Sequence, residues 1–177
     1  MKDSRGKSLT VALTAVFAAA YAVGVFFLAP ISFQLFQVRV ADALLPLSMI
    51  FGWPAVLGLT IGALIANFFG ELGPVDIIGG AIANFIATYL AWKISMNRKR
   101  SWKLAGVALE VAVITLIVGS YLSLLFNMPL EVGWLGVFLG SVIAIGVLGT
   151  ILLFALSARG VARVLRVQVS ENTKLNH

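Results

Sequence analysis

The stretch SLTVALTAVFAAAYAVGVFFLAPISFQLFQV, from Ser8 to Val38, contains no charged residue. A membrane-spanning helix needs about 20 mostly apolar residues. The stretch therefore predicts a first span from Leu9 to about Leu28, which Pro30 helps to end. Lys2, Arg5 and Lys7 form a basic start of the kind a signal peptide also has. The apolar region of a signal peptide is only about 7–15 residues long, so the segment reads as a retained helix.

The rest of the chain repeats this pattern. Hydrophobic residues make up 60% of the 177 residues, charged ones 11%, and mean hydropathy is +1.03. Soluble domains run at about 45–50% apolar and about 25% charged. The composition excludes a soluble globular enzyme, a disordered chain and a collagen-like fibre, and predicts an all-α integral membrane protein. Ala43 to Gly70 is again uncharged, and Gly52-Trp53-Pro54 breaks it into a short helix from Val40 to Phe51 and a second from Ala55 to Gly70. The first of these is under-length for a span, so it tilts or shares its depth with a loop. Further helices are predicted over Ile77 to Ile94, Leu104 to Phe126 and Gly133 to Ala158. Six helices in one transmembrane domain, residues 1–166, precede a polar tail, residues 167–177.

Charge sets the orientation. With both termini in the cytoplasm, 12 of the 13 basic residues lie on the cytoplasmic side: Lys2, Arg5 and Lys7; Lys93, Arg98, Lys99, Arg100 and Lys103; Arg159, Arg163, Arg166 and Lys174. This positive-inside pattern accounts for the net charge of +6 without a nucleic-acid partner, and suits a multi-pass protein of the plasma membrane. Arg39 alone falls on the outer side, with Asp42, Glu71, Asp76 and Glu131.

The reactive inventory is sparse. There is no cysteine, and the one histidine is His177, so neither a metal centre nor a serine–histidine or cysteine nucleophile is expected. Gly6-Lys7-Ser8 lacks the upstream glycine of a phosphate-binding loop, because that position is Met1. No catalytic residue and no cofactor is predicted, and the chain does not hydrolyse ATP by itself.

Small residues recur at helix-packing spacing: Gly58, Gly62, Ala66 and Gly70; Gly79, Ala83, Ala87 and Ala91; Gly136 and Gly140. The first helix carries two such pairs, Ala15 with Ala19 and Ala18 with Ala22. Spacing fits them equally to internal packing or to docking on a partner protein.

The polar residues of the outer half form the candidate binding set. Arg39 and Asp42, three apart, share a helix face and are expected to form an ion pair, structural or part of a pocket. Asp76 stands where the fourth helix starts, and either caps it or binds a ligand. Asn84 lies inside the membrane and needs hydrogen-bond partners. Trp134 is either an interface anchor or a stacking surface. With Gln37, Asn67, Glu71, Gly80 and Ser141, these residues suit a small-molecule pocket of apolar walls and a few orienting polar groups. Glu110, nearer the cytoplasmic end, is expected to pair with Lys103 or Lys99.

Three segments carry a family resemblance. Phe36-Gln37-Val38-Arg39-Val40-Ala41-Asp42, Gly58-Leu59-Thr60-Ile61-Gly62-Ala63-Leu64-Ile65-Ala66-Asn67-Phe68-Phe69 and Pro74-Val75-Asp76-Ile77-Ile78-Gly79-Gly80 resemble the corresponding parts of the QueT family. The resemblance implies a substrate-binding S-component of an energy-coupling factor (ECF) importer. Such a component is a six-helix subunit that binds a micronutrient on the outer side and works with a transmembrane scaffold protein and two ATP-binding-cassette ATPases. It also implies a queuosine precursor, a 7-deazaguanine, as ligand, with Asp76, Asn67 or Asn84 accepting from its N–H edge and Trp134 or Phe36 stacking on its ring. An Ala-x-x-x-Ala face on the first helix would meet the scaffold, and both alanine pairs fit. Two departures stand out: Asp42 sits where glutamate is frequent, and Gly140-Ser141 stands where an acidic residue after a glycine is expected. An S-component for another vitamin or planar heterocycle, and an autonomous secondary transporter using Glu71, Asp76 or Glu110 for protons, remain the alternatives.

Overall fold

The computed structural model describes residues 2–27, 39–70, 72–96 and 98–158. Among the described residues there is no strand. Helix α1 runs Lys2–Phe27, α2 Val40–Phe51, α3 Trp53–Phe68, α4 Pro74–Ser95, α5 Arg100–Leu125 and α6 Leu130–Ala158. Helices thus form in all the predicted stretches, with shifted ends. Helix α1 begins well before Leu9, and α5 before Leu104, because a helix continues into the polar interface after its apolar run stops. Helices α3 and α4 begin at a proline near the first turn, where the missing N–H costs nothing. The predicted tail, Gln37 and Glu71 lie outside the described residues.

Among the described residues, four helices are long and apolar enough to cross a membrane: Gly6–Phe27 within α1, then α4, α5 and α6. Helices α2 and α3 are apolar but shorter. Helix α2 is a 3-10 helix over Val40–Leu47, with Pro46 inside it, and α-helical only over Ser48–Phe51. The tighter winding rises about 2.0 Å per residue against 1.5 Å, so the segment spans roughly 22 Å despite its length. Gly52 then reverses the chain at φ +66°, and a Cβ there would stand 3.2 Å from Trp92 Nε1.

Chain neighbours pack on one another from α3 through α6, and α1 lies on α3. The α1–α3 contact depends on missing side chains. A Cβ on Gly62 would lie 2.8 Å from both the Ala18 carbonyl oxygen and Tyr21 Cβ, and one on Gly58 would lie 2.6 Å from Phe17 Cβ. Helix α2 sits at the centre and touches all five others. Helix α6 meets it through a π-helical segment, Val142–Gly149, where a Cβ on Gly149 would lie 2.8 Å from Pro46 Cγ.

The burial pattern inverts that of a soluble protein. Along α4 the buried stripe is small and polar: Asp76, Gly80, Asn84, Thr88, Ala91 and Ser95. Val75, Ile78, Ile82 and Leu90 face outward. Thr88 and Ser95 donate to carbonyls four residues back, which satisfies their hydroxyls without a neighbour.

Candidate binding site

The polar residues of one end of the bundle converge on the N-terminal end of α2. Arg39, immediately before α2, is 6% exposed, Asp42 5%, Asn84 2% and Asp76 fully buried. Arg39 Nη2 stands 4.0 Å from Asp76 Oδ1. The Tyr121 hydroxyl, from α5, donates to the same oxygen at 2.8 Å. The Tyr21 hydroxyl, from α1, donates to Asp42 Oδ1 at 2.5 Å. Asn67, near the end of α3, donates through Nδ2 to the backbone carbonyl of Asp76 at 2.8 Å. Asn84 Nδ2 donates to the carbonyl of Leu59 at 3.3 Å.

A pocket opens within this network, lined by Arg39, Asp42, Asn84, Ile114, Val118, Val137 and Ser141. The free space among these side chains is about 10 Å³, room for about one water-sized group. One cation, one carboxylate, one amide and one hydroxyl thus face three aliphatic walls, the mixture expected of a small-ligand site. Two further acceptors nearby, Asn67 Oδ1 and Asp76 Oδ2, are buried and have no hydrogen-bond partner among the described residues. Buried acceptors are costly to leave unmatched, so this end of the bundle suits a molecule that brings N–H or O–H donors.

Gly80 permits the convergence. A Cβ on it would collide with Asn67 Nδ2 and stand 3.5 Å from the Tyr121 hydroxyl. Asp76 is no helix cap: α4 follows Gly73 without a side-chain cap hydrogen bond, and the Asp76 carboxylate turns inward to Tyr121 and Arg39. Arg39 shares the pocket wall with its expected partner, Asp42, and also stands at ion-pair distance from Asp76.

Other expected residues lie elsewhere. Trp134 donates through Nε1 to Ser120 at 3.0 Å and packs over Gly119, away from the pocket-lining side chains. Glu110 is fully buried but receives the hydroxyl of Ser48 at 3.4 Å, whereas Lys103 Nζ donates to Ser157 at 3.0 Å. Lys103 lies two helical turns from Glu110 along α5, and the end of α2 is closer. Of the alanine pairs, Ala18 is buried against α3 and Ala22 half-buried, while Ala15 and Ala19 are exposed. Tyr21 escaped the sequence reading. Its signal was a lone phenol in an apolar helix, since a buried tyrosine hydroxyl usually finds a partner.

A family model described as QueT transporter matches residues 11–158. No curated protein and no solved structure matches the chain.

Proposed function

Because the chain belongs to the QueT transporter family, a family of membrane transporters, we propose that it is the substrate-binding S-component of an ECF importer and that its ligand is a queuosine precursor of the 7-deazaguanine type. In this reading six helices cross the plasma membrane with both termini in the cytoplasm, following the basic segments. The ligand enters from the outer side, and a scaffold protein with two ATP-binding-cassette ATPases powers its delivery. No enzymatic step is assigned to the chain.

The observation that carries the reading is the pocket between Arg39, Asp42, Asn84 and Ser141, beside the buried acceptors of Asn67 and Asp76. A guanine-like edge presents adjacent N–H donors, and carboxylate and amide oxygens accept from them; a bidentate contact of this kind discriminates by about 1–3 kcal/mol. Ser141, in place of a carboxylate, supplies a hydroxyl at the pocket wall. Arg39 and Asp42 act there as a pair.

Thermal unfolding of the purified chain, titrated with deazaguanines and a vitamin panel, tests this. Ligand at 100 times its Kd adds about 2.7 kcal/mol of stability. Stabilisation by a vitamin alone moves the specificity, and silence across the panel overturns the ligand reading. Gly80→Ala is expected to push Asn67 off the Asp76 carbonyl, costing about 1 kcal/mol for the lost hydrogen bond, and to weaken deazaguanine binding. Calorimetry on the variant checks both, and unchanged affinity would separate Asn67 from the ligand.

A further inference from the structure

We propose that the end of the bundle where α4 gives way to α5 binds anionic glycerophospholipids in preference to zwitterionic ones, through Lys93, Arg98 and Arg100 and the aromatic rings beside them. This requires only that the bundle spans a membrane, and it holds whatever molecule the pocket takes.

Charge at this end is one-sided. From Ile77 to Leu109 the sequence has five basic residues, Lys93, Arg98, Lys99, Arg100 and Lys103, and no carboxylate. Glu110, the next carboxylate along α5, is fully buried and receives the Ser48 hydroxyl. No carboxylate follows Glu131 before Glu171, so α6 brings none to this end either. Helix physics does not call for so much positive charge. Lys93, in the last turn of α4, suits the negative end of a helix. Arg100 and Lys103 instead stand at the positive end of α5, whose first turn has no acidic residue.

Three of the cations lie against rings. Lys93 Nζ is 5.0 Å from the centre of the Trp92 ring and 5.4 Å from that of Tyr89. Arg98 Cζ is 4.3 Å from the Trp102 ring, and Arg100 Cζ is 4.1 Å from the Phe154 ring on α6. These are cation–π distances. All three residues are exposed, so their charge stays available to an anion. Trp53, at the start of α3, is 41% exposed and extends the aromatic surface, packing on Phe85, Tyr89 and Trp92. Trp102 is likewise exposed. Tryptophan and tyrosine favour the headgroup layer of a bilayer, so the rings set these cations at the depth of the lipid phosphates. Ile82 and Leu90, exposed on α4, continue the surface as apolar wall for acyl chains. An anionic headgroup meets a surface of opposite sign there. A zwitterionic headgroup brings its own ammonium and gains less.

Tryptophan quenching by brominated lipids tests this on the full chain in phosphatidylcholine vesicles. A Trp134→Phe background removes the one tryptophan at the other end of the bundle. Brominated phosphatidylglycerol is expected to occupy the surface at least about tenfold more readily than brominated phosphatidylcholine, since each basic residue near an anionic surface contributes about fivefold. High salt should erode the preference. Replacing the three cations by glutamine (Lys93→Gln, Arg98→Gln, Arg100→Gln) should bring the ratio close to one. Exchanging them for one another (Lys93→Arg, Arg98→Lys, Arg100→Lys) should retain it, which separates the charge from any disturbance of the fold. Equal quenching by the two lipids overturns the proposal, and so does a preference that survives the glutamine substitutions, which would give the anion to the other basic segments. Relief of quenching by soluble glycerol phosphate would mean a free phosphate site, not a lipid site. If the wild type showed no lipid preference and the glutamine variant no longer co-purified with other proteins, the surface would belong to a protein partner.

Discussion

Asp76→Ala is expected to destabilise the protein by about 3–5 kcal/mol, the usual cost of removing one partner from a buried ion pair, and to abolish ligand binding at the same time. Asp76 is fully buried and holds three connections: Arg39 at 4.0 Å, the Tyr121 hydroxyl at 2.8 Å, and, through its carbonyl, Asn67 at 2.8 Å. Alanine keeps only the last. The buried Arg39 guanidinium then loses one of its two neighbouring carboxylates, and the Tyr121 hydroxyl loses its acceptor. Asn84→Ala makes the informative contrast. Asn84 lines the pocket but makes one long side-chain bond, 3.3 Å to the Leu59 carbonyl. Its loss is expected to cost no more than about 1 kcal/mol of stability while still weakening binding. Thermal unfolding and calorimetry on both variants separate the two roles. An Asp76→Ala protein as stable as wild type would mean that the buried cluster does not hold the helices together, and equal affinities for Asn84→Ala and wild type would remove Asn84 from the ligand.

The contrast also marks where sequence reasoning reaches its limit. Helix positions were legible because lipid is an unforgiving solvent: a long apolar run leaves the backbone no choice but to bond within itself. The Gly52-Trp53-Pro54 break was legible for a local reason as well, since glycine reaches φ +66° and proline tolerates the first turn. The polar cluster was legible as a set, because few polar residues occur in this part of an apolar chain. The pairings within it were not. Arg39 and Asp76, or Tyr21 and Asp42, meet only through packing of different helices, whereas the sequence by itself offers only the nearer pairing of Arg39 with Asp42. Tyr21 was hidden further because α1 is apolar on every face, so no periodicity marks its inner side. Trp134 was legible as a large aromatic near a binding region, but the bond of its indole N–H to Ser120 on the adjacent helix was not.

The first helix carries the second large expected effect, on a question that spacing left open. Ala18 lies against Gly62, close enough that a Cβ on that glycine would stand 3.2 Å from Ala18 Cα, whereas Ala15 and Ala19 lie exposed along the adjacent face. Val11, Val16, Val23, Phe26 and Phe27 are exposed on the same helix, so this side is apolar along its length. Small residues in an apolar surface let a second helix approach closely, and under the proposed function that helix belongs to the scaffold protein. Replacing Ala15 and Ala19 together with leucine is therefore expected to leave unfolding temperature and ligand affinity unchanged and to abolish co-purification with the scaffold and ATPases. Ala18→Leu is expected to do the reverse. It forces α1 off α3 at a cost of about 1–3 kcal/mol, the usual penalty of overpacking, and disturbs Tyr21, one turn further on, with its bond to Asp42. Loss of stability in the Ala15/Ala19 variant would place that face inside the bundle, and an intact complex would move the docking surface to another helix. If Ala18→Leu were silent in the isolated chain, the close contact between α1 and α3 would not be what seats Tyr21 at the pocket.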